Sequence, residues 1–319
     1  MLNAFLFILV GLVLLICGAE YLVKGAVAVA NKLKIPALVV GLTIVAFGTS
    51  TPEFVVSIKA ALNGGGGIAI GNVVGSNIAN ILLILGVAGI ICPIVCDKKT
   101  FLRDYKFLMF ATVLLLLFAL SGKFVFWHGL IMLAALIGFI VFNYINSKDN
   151  DVFLEAESPI ADKNWLVVIG VTAIGLIGII YGADLLVNGA VILAKLFGVS
   201  EAIIGLTIIA VGTSLPELAT TVVAAYRKQN GVALGNVVGS NIWNIVFIIG
   251  ATATMVDIEV VRQIMIYDMW VMFFATIMLL PVMLTGRRLD RVEGSLFLIS
   301  YILYLVSQVL IVKGVWSFN

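Results

Sequence analysis

Two glutamates lie inside long apolar stretches of this sequence, and each directly follows a proline. Glu53 stands in GLTIVAFGTSTPEFVVSIKAA, and Glu217 stands in the closely similar stretch GLTIIAVGTSLPELATTVVAA. Because a carboxylate near the centre of a bilayer is costly, we expect both side chains to face a cavity or a partner group. Together, two ionised carboxylates balance one divalent cation, or two monovalent cations or protons. The alternative is a pair of neutral glutamic acids that hydrogen-bond neighbouring helices together.

The residues around each glutamate offer further oxygen atoms. Pro52 and Pro216 have no N–H, so each leaves the carbonyl four residues earlier without a partner in the helix. Hydroxyls precede each glutamate by about one turn, and on the next helix a serine and an asparagine four residues apart share one face. Neutral and anionic oxygen is the donor set of Na⁺, Ca²⁺ or Mg²⁺ rather than of soft metals. The candidate metal ligands beside the glutamates are Thr49, Ser50, Ser76, Asn80, Thr213, Ser214, Ser240, Asn244 and the carbonyls of Ala46 and Ala210.

Other polar and small residues in the apolar stretches are expected to be structural. Glu20 and Lys24 are four residues apart on one helix face and should pair with each other. Asp268 is expected at the end of a span, and the single histidine, His128, near an outer boundary. Helix packing is the expected role of Gly71, Gly75, Gly235 and Gly239, and interhelical hydrogen bonding or support of the ligands is expected for Asn72, Asn77, Asn236 and Asn241.

The two glutamate stretches belong to an internal repeat. Glu53 and Glu217 are 164 residues apart, and Asn80 and Asn244 have the same offset. At this offset the match runs from Gly11 through Gly86 without a slip, and about half of the aligned positions are identical. The glutamates of the two copies are therefore expected to approach a common axis.

The composition defines the class of protein. Of the 319 residues, 62% are hydrophobic and only 11% are charged, and the mean hydropathy is +1.21. Several apolar runs are long enough to cross a bilayer as helices. We therefore predict an all-α polytopic membrane protein with ten transmembrane helices. The predicted spans are 4–29, 37–61 with a break near 48–52, 68–91, 107–120, 126–145, 165–193, 202–225, 232–256, 269–284 and 294–312.

The distribution of Lys and Arg predicts the orientation of these spans. Loops after odd-numbered spans carry 13 of these residues, whereas the remaining loops and tails carry 5. The positive-inside rule then places the central linker in the cytoplasm and both termini outside, and the compact chain without a targeting segment indicates the plasma membrane. Because each half has five spans, the two repeats are inverted. The predicted units are a first repeat at 1–145, a cytoplasmic linker at 146–163 and a second repeat at 164–319.

The motifs GTS-x-PE and GN-x-x-GSN-x-x-N, present in both halves, make the resemblance specific. They resemble the α-repeats of the sodium/calcium exchanger family, within the cation/Ca²⁺ antiporter superfamily, and the ten-span plan extends the resemblance over essentially the whole chain. The resemblance implies an alternating-access antiporter that exchanges Na⁺ for Ca²⁺, without a cofactor. It implies that spans two, three, seven and eight hold the ions while spans one and six slide across them. The implied central ligands are Glu53, Asn80, Glu217 and Asn244, and the hydroxyls and two carbonyls named above would complete Na⁺ sites on either side.

Some family members, notably the potassium-dependent branch, carry aspartate where this chain has Asn244. We therefore expect no potassium requirement. Proton-coupled transport of Ca²⁺ or of another cation is the first alternative, and a passive cation channel is a weaker one. An enzyme is not expected, because the sequence has no zinc motif, no evident catalytic dyad and no cofactor motif. The expected partners are the transported ions and the lipid bilayer, not nucleic acid, and one chain is expected to function as a monomer.

Overall fold

The computed structural model describes residues 1–95, 98–146, 158–197, 210–285, 288–313 and 315, and these residues are mostly helical. Most of the predicted central linker, and the first part of the seventh predicted span from Ala202 onward, lie outside the described residues. Long apolar segments without internal proline form most of the helices, as expected for spans that must satisfy their backbone groups internally.

The first half begins with a 32-residue helix, α1, and continues with shorter helices interrupted by π-helical turns. Helix α1 ends where Lys34 adopts a left-handed conformation with φ of 54°. The helices are α1 (Leu2–Leu33), α2 (Ala37–Val40), α3 (Ala46–Thr49), α4 (Thr51–Leu62), α5 (Gly66–Ile78), α6 (Leu85–Ile91), α7 (Lys98–Ala119) and α8 (Phe126–Asn146), with π-helical segments at Gly41–Val45 and Ala79–Ile84.

The second half has a similar order of elements. It begins with α9, another 32-residue helix, which the side chain of Asn164 caps by accepting a hydrogen bond from the N–H of Val167. The helices are α9 (Trp165–Leu196), α10 (Ala210–Gly212), α11 (Leu215–Tyr226), α12 (Asn230–Ile242), α13 (Gly250–Ala253), α14 (Met269–Thr285) and α15 (Arg291–Val312), with π-helical segments at Trp243–Ile249 and Ile264–Asp268.

Within the described ranges, seven helical segments are long and apolar enough to cross a membrane, and a bent pair, Ala37–Thr49 with Thr51–Leu62, makes up to eight. These eight correspond to predicted spans one, two, three, five, six, eight, nine and ten. The fourth predicted span, 107–120, lies in the apolar part of α7, which begins earlier, at Lys98. Charged side chains in its first turns keep this helix out of the apolar set. The total of ten spans therefore stays a prediction.

Four two-residue strands, which the sequence analysis did not predict, join the two halves. Strand β1 (Ile94–Val95) pairs antiparallel with β4 (Arg288–Leu289), and β2 (Lys123–Phe124) pairs antiparallel with β3 (Ile258–Glu259). Each sheet therefore connects a loop of the first half with a loop of the second half. Such short strands carry no alternating pattern long enough to be recognised in a sequence.

Helices α1 and α9 pack closely along their length through glycines. A Cβ added at Gly11 would lie 2.7 Å from the carbonyl oxygen of Gly182, and one added at Gly18 would lie 2.8 Å from the carbonyl oxygen of Gly175. Since the order of the contacts along α1 is the reverse of their order along α9, the two helices run antiparallel. Glycine permits this approach because any larger residue would meet backbone.

The most deeply buried helices are α5 and α12, which follow the glutamate-bearing helices in each half. Every residue of α12 from Val232 to Ile242 is buried. Gly235 and Gly239 of α12 pack against the backbone of Leu38 and Leu42, because a Cβ added at each glycine would lie 2.5 and 2.6 Å from the respective carbonyl oxygens. The packing role predicted for these two glycines is confirmed, and it places the second-half helix directly beside the interrupted helix of the first half.

Candidate cation site

A break in each half places a glutamate in the first turn of a new helix. In the first half the helix axis bends by 46° between α3 and α4, with Ser50 between them at φ −81° and ψ 3°. In the second half Ser214 precedes α11 with φ −88° and ψ 4°. Proline stands at the start of each new helix, where its missing N–H costs nothing. The amino-terminal end of a helix is a favourable place for a carboxylate, so each break lowers the cost of placing a glutamate there.

Both glutamates are fully buried. Glu53 is 1% exposed and Glu217 is 0% exposed. Among the described residues, neither carboxylate oxygen of Glu53 has a hydrogen-bond partner, and Oε2 of Glu217 has none. A buried carboxylate without a partner costs far more than one that is hydrogen-bonded or paired. These three oxygen atoms therefore need a cation or a proton.

The hydroxyls of both halves meet at Glu217. Ser50 of the first half donates to Oε1 of Glu217 at 3.2 Å, and Ser240 of the second half donates to the same oxygen at 3.5 Å. The Thr49 and Ser240 hydroxyl oxygens lie 3.5 Å apart. A residue from the first break thus contacts the glutamate of the second. The structure therefore brings residues of both copies of the repeat together at Glu217.

Two asparagines connect the glutamate helices to the helices that follow them. Asn72 donates to the backbone carbonyl of Glu53 at 3.2 Å and to the Ser57 hydroxyl at 2.9 Å. Asn236 makes the equivalent bonds, to the carbonyl of Glu217 at 3.2 Å and to Thr221 at 2.9 Å. These hydrogen bonds fix the backbone from which each glutamate projects. Ser57 and Thr221 were not singled out from the sequence, although their equal spacing from the glutamates was visible in the repeat.

The asparagines predicted as central ligands lie in π-helical segments. Asn80 belongs to Ala79–Ile84, and Asn244 belongs to Trp243–Ile249. Asn80 donates to Oδ1 of Asn241 at 2.9 Å, whereas both polar atoms of the Asn244 amide are buried without a partner among the described residues. Single π-helical turns are frequent at functional sites. The Asn80 oxygen and the Asn244 amide are therefore available to a ligand.

The remaining predicted ligands are in or beside the two breaks. Thr49 is buried and donates to Oδ1 of Asn236 at 3.1 Å. The hydroxyls of Thr213 and Ser214 are buried, and the described residues supply no partner for either. The carbonyl of Ala46 accepts the N–H of Ser50 at 3.0 Å, as an ordinary helical carbonyl does. Ala210 is the first residue of α10, and Ser76 is buried on α5.

The described part of the chain contains no group of three or more His, Cys, Asp and Glu side chains placed to hold a metal ion. The acidic side chains at the two breaks are thus Glu53 and Glu217, with hydroxyl and amide oxygens around them. This donor set fits a hard cation that gives up most of its water to neutral oxygen atoms. It does not fit a tightly held transition metal.

An aromatic cluster that the sequence analysis missed covers the first break. The ring centroids of Phe47 and Trp243 are 4.9 Å apart, and those of Phe54 and Phe247 are also 4.9 Å apart. The Trp243 indole donates to the carbonyl of Leu42 at 3.0 Å, inside the π-helical segment Gly41–Val45. The first repeat has alanine at the position equivalent to Trp243, so this difference within the repeat was the available signal.

Two of the structural roles predicted for charged and polar residues are confirmed. Glu20 and Lys24 form an ion pair at 3.1 Å, and Arg227, at the end of α11, adds a second one to Glu20 at 2.8 Å. Helix α1 is thereby tied to the helix that carries Glu217. His128 stacks on Phe118 with ring centroids 4.2 Å apart, as a packing residue does.

Asp268 lies near the start of the apolar segment Ile264–Leu284, directly before α14, in agreement with its predicted place at a span end. It is 5% exposed, and the sequence did not predict this burial. Its Oδ1 accepts hydrogen bonds from Tyr304 at 3.0 Å and from Gln308 at 2.6 Å. These donors come from α15, a different helix, so only the tertiary structure accounts for the burial of this carboxylate.

Comparison with known proteins assigns the family. The sequence model of the sodium/calcium exchanger protein family matches residues 3–145 and 167–310, and thus both halves. The chain belongs to the sodium/calcium exchanger family. It is 39% identical to the putative antiporter CaxA of Alkalimonas amylolytica, over 95% of this chain and 98% of that protein. It is 35% identical to the sodium/calcium exchanger MaX1 of Methanosarcina acetivorans, over 95% of this chain and 97% of that protein.

Solved structures agree with this assignment. The sodium-calcium exchanger NCX_Mj, soaked with Na⁺ and Ca²⁺, superposes with a TM-score of 0.82 at 31% identity, covering 95% of this chain and 98% of that one. The present chain, as a member of this family, is therefore a multi-pass membrane protein and a cation/Ca²⁺ antiporter. Its substrates are cations, and it is a transporter rather than an enzyme.

Proposed function

We propose that this protein exchanges Na⁺ for Ca²⁺ across the membrane by alternating access to the site between Glu53 and Glu217. The observation that carries this proposal is the burial of both carboxylates, with three of their four oxygens unpartnered among the described residues. Two such carboxylates balance the charge of one Ca²⁺. The similar proteins MaX1 and NCX_Mj are sodium/calcium exchangers, which supports Na⁺ as the counter-ion.

The proposed site has a central part and flanking parts. Ca²⁺ binds between the two glutamates with amide oxygen from each following helix, and Na⁺ uses hydroxyl and carbonyl oxygens on either side as well as the carboxylates. The contacts of the Ser50 and Ser240 hydroxyls with Glu217 support this division. They place hydroxyl oxygen atoms, whose lone pairs bind cations, directly beside the carboxylate. The proposed ligands are Glu53, Asn80, Glu217 and Asn244, flanked by Thr49, Ser50, Ser76, Thr213, Ser214, Ser240 and the carbonyls of Ala46 and Ala210.

The ten spans are proposed to form two inverted repeats, at 1–145 and 164–319, joined by the linker 146–163. The antiparallel packing of α1 and α9 supports this arrangement. Gly11 contacts Gly182, which is the repeat equivalent of Gly18, and Gly18 contacts Gly175, which is the repeat equivalent of Gly11. A two-fold axis in the membrane plane produces this exchange of partners, and inverted repeats have such an axis.

The orientation is proposed from the positive-inside bias, with both termini outside, the linker in the cytoplasm and the protein in the plasma membrane. The strand pairs support the predicted sides. Loops carrying β1 and β4 are both predicted to be cytoplasmic, and those carrying β2 and β3 are both predicted to be outside. Because one chain supplies both halves of the site, we propose that the monomer transports ions.

Proton-coupled Ca²⁺ transport is the second candidate. The same observation also supports it, since a proton satisfies an unpartnered buried carboxylate as well. In that case Glu53 and Glu217 would each carry a proton through the membrane in place of Na⁺, and the hydroxyl ligands would have no sodium to bind. The two candidates therefore differ in what drives Ca²⁺ uptake.

Purified protein in liposomes distinguishes these candidates. Ca²⁺ uptake is measured with Na⁺ inside and none outside, and separately with a pH gradient in the absence of Na⁺. The matched control is the Glu53→Gln/Glu217→Gln variant, which keeps side-chain size but removes both charges. We expect uptake driven by Na⁺ alone, and a loss of at least about 100-fold in the variant, because a buried divalent ion without carboxylate ligands is not stabilised.

The other outcomes are equally informative. Uptake driven by the pH gradient alone would identify proton coupling and overturn the Na⁺ assignment. Na⁺-driven uptake that persists in the double variant would show that the glutamates are not the central ligands. Uptake without any counter-gradient would indicate a channel.

A further inference from the structure

A cavity with a volume of about 360 Å³ is lined by residues of α5, of the π-helical segment Ile264–Asp268 and of α15. Its lining combines apolar surface with polar side chains. The polar ones include Asn72, Ser76, Asp268, Tyr301, Tyr304 and Gln308. Gly67 and Val261, close to β3, also line it, so the cavity lies toward the side proposed to be outside. We call this feature the Asp268 cavity.

Asp268 brings a carboxylate to this cavity. It is 5% exposed and is not one of the proposed ion ligands. Tyr304 and Gln308 donate to its Oδ1 at 3.0 and 2.6 Å, and Gln263 donates to Gln308 at 3.0 Å. All three donors are neutral, and no Lys or Arg of the described ranges forms an ion pair with Asp268. Neutral hydrogen bonds leave the charge of a buried carboxylate uncompensated, so an ionised Asp268 still needs a cation.

The first half of the chain shows how the equivalent aspartate is neutralised. Asp104 and Asp268 are 164 residues apart, which is the offset of the repeat, and Asp104 is 3% exposed. The guanidinium of Arg103 pairs with both carboxylate oxygens of Asp104, at 2.8 and 3.1 Å. A planar guanidinium matches a carboxylate in this two-bond geometry better than an ammonium does. The protein therefore supplies Asp104 with its own guanidinium.

The second half has no such guanidinium beside its aspartate. Tyr267 occupies the position equivalent to Arg103, and its hydroxyl donates to Ser307 at 2.7 Å. The space around the two aspartates also differs. The side chains packed around Asp104 leave no room for a water molecule, whereas Asp268 lines the 360 Å³ cavity. A cavity thus accompanies the aspartate that has no internal cation.

The lining of the cavity favours an organic cation over a metal ion. A divalent ion such as Ca²⁺ takes about six to eight oxygen ligands, whereas this cavity offers one carboxylate beside the apolar surface of Ile68, Ile264 and Leu305. The rings of Tyr301 and Tyr304 also line it, with centroids 6.3 Å apart. Aromatic faces attract organic cations, and a guanidinium is more weakly hydrated than an ammonium. The volume falls in the range of about 300–1,000 Å³ that is usual for small-molecule sites.

We propose that the Asp268 cavity binds a small organic guanidinium ligand with one positive charge, whose N–H groups pair with Asp268 as those of Arg103 pair with Asp104. The apolar substituent of the ligand packs against the tyrosine rings. Asn72, which bonds the backbone of Glu53, lines the same cavity, so the ligand lies beside α5. This binding goes beyond ion exchange and does not depend on which ions the protein exchanges.

Saturation-transfer difference NMR of the purified full chain in detergent tests this binding. The probe is n-butylguanidinium, and n-butylurea is its neutral counterpart of similar shape. Saturating NaCl in every sample keeps Na⁺ on the proposed cation site, and protein-free micelles correct for partition into detergent. We expect n-butylguanidinium to bind at least about tenfold more tightly than n-butylurea, because only the cation forms charge-assisted hydrogen bonds with the carboxylate.

Asp268→Asn keeps the shape of the side chain and removes its charge. We expect this variant to bind n-butylguanidinium about tenfold more weakly or worse, with little change for n-butylurea. The matched control is Asp257→Asn, since Asp257 is an exposed carboxylate outside the cavity, and it should bind the probe as the unchanged protein does. The Glu53→Gln/Glu217→Gln variant should also retain binding, which separates this cavity from the proposed cation site.

Tyr267→Arg tests the same idea while Asp268 stays in place. It puts a guanidinium where Arg103 stands in the first half, so an internal ion pair should take the place of the ligand and abolish binding of the probe. Tyr267→Gln is its matched control, because it removes the ring without adding a charge, and it should retain binding.

Several results would overturn the proposal. Absence of saturation transfer to n-butylguanidinium, or equally tight binding of n-butylurea, would show that the cavity does not select a cation. Full binding in Asp268→Asn or in Tyr267→Arg would show that the carboxylate is not the partner. Equal loss in Asp257→Asn, in Tyr267→Gln or in the double glutamate variant would place the cause outside the Asp268 charge. Should Asp268→Asn not yield monodisperse protein, the two Tyr267 variants decide the question.

Discussion

The two central glutamates have different surroundings although the repeat makes them equivalent. Glu217 accepts hydrogen bonds from Ser50 and Ser240 at one oxygen, whereas Glu53 has no partner at either oxygen among the described residues. A hydroxyl that donates its proton to a carboxylate keeps two lone pairs that can accept another partner. At the scale of single residues, the protein therefore satisfies part of the Glu217 carboxylate, whereas the described residues leave the Glu53 carboxylate without a partner.

The amide at position 244 leads to a prediction about potassium. Asn244 is buried and uncharged, so the described site has two carboxylates rather than three. A site with this charge needs no additional monovalent cation to balance it when Ca²⁺ is bound. We expect Ca²⁺ uptake into Na⁺-loaded liposomes to be unchanged within about twofold when potassium is removed from both sides. Transport that stops in potassium-free buffer would contradict this.

The asparagines that hold the glutamate backbones provide a matched pair of substitutions. Asn236 is fully buried and bonds Glu217, Thr221 and Thr49, whereas Asn72 is only half-buried. Removing a buried hydrogen-bonding side chain leaves its partners unsatisfied, at a cost of about 1–3 kcal/mol. We expect Asn236→Ala to lower the thermal unfolding temperature in detergent clearly more than Asn72→Ala does. Equal effects would mean that burial does not set the cost here.

At the scale of helices, two features shape the molecule: breaks in the helices that carry the glutamates, and close helix packing at glycines. The breaks before α4 and α11 place the glutamates at helix amino termini, and the glycines of α1, α9 and α12 let neighbouring backbones come into contact. In lipid, the hydrophobic effect does not drive helices together, so their association depends on such close contacts. The ion pairs of Glu20 with Lys24 and Arg227 are partly exposed and add little to this packing.

Two glycines on α9 differ in how closely their surroundings pack, so substituting each of them tests whether close packing matters. A Cβ at Gly182 would lie 2.6 Å from the backbone nitrogen of Leu15 and 2.8 Å from the carbonyl oxygen of Gly11, whereas one at Gly170 would meet no described atom within 4 Å. Overpacking of this kind costs about 1–3 kcal/mol or more. We expect Gly182→Val to lower the unfolding temperature and the Ca²⁺ uptake rate, and Gly170→Val to change neither. Similar behaviour of the two variants would argue against close contact of α1 and α9.

At the scale of the whole molecule, elements of the first half are in contact with elements of the second half at several places. Helix α1 packs on α9, Ser50 contacts Glu217, and each two-stranded sheet takes one strand from each half. A movement of one half relative to the other therefore changes the helix packing, the site and both sheets. Such coupling is what alternating access between two inverted repeats requires.

Charge counting over the whole site predicts an electrogenic exchange. If three Na⁺ exchange for one Ca²⁺, as the family resemblance implies, and both glutamates stay ionised, a site holding three Na⁺ carries a net +1 and a site holding one Ca²⁺ carries none. One charge moving across the membrane corresponds to about 2.3 kcal/mol per 100 mV, or about 50-fold in the equilibrium ratio. We expect an inside-positive potential, clamped with a potassium gradient and valinomycin, to speed Ca²⁺ uptake against Na⁺ efflux. A rate that is independent of the potential would indicate an electroneutral exchange.

Much of the fold was predictable because a bilayer imposes length and apolarity on each span. The predicted starts of α8 at Phe126 and α9 at Trp165 agree with the structure, and the predicted break near Gly48 to Pro52 is observed at Ser50. The helix that contains the fourth predicted span starts before that span, because Lys98 to Lys106 continue α7 beyond its apolar part. Hydropathy alone does not detect a charged helical extension at a membrane boundary.

By itself, the sequence determined the membrane class, the internal repeat and the candidate ligands, since composition, a constant offset and the types of oxygen donors are all local or periodic properties. Only the tertiary structure decided that Ser50 contacts Glu217, that Asp268 is buried against α15 and that short strands join the two halves. Each of these contacts joins residues distant in the chain. Their distances depend on how the helices cross, and no spacing within a single helix specifies that crossing.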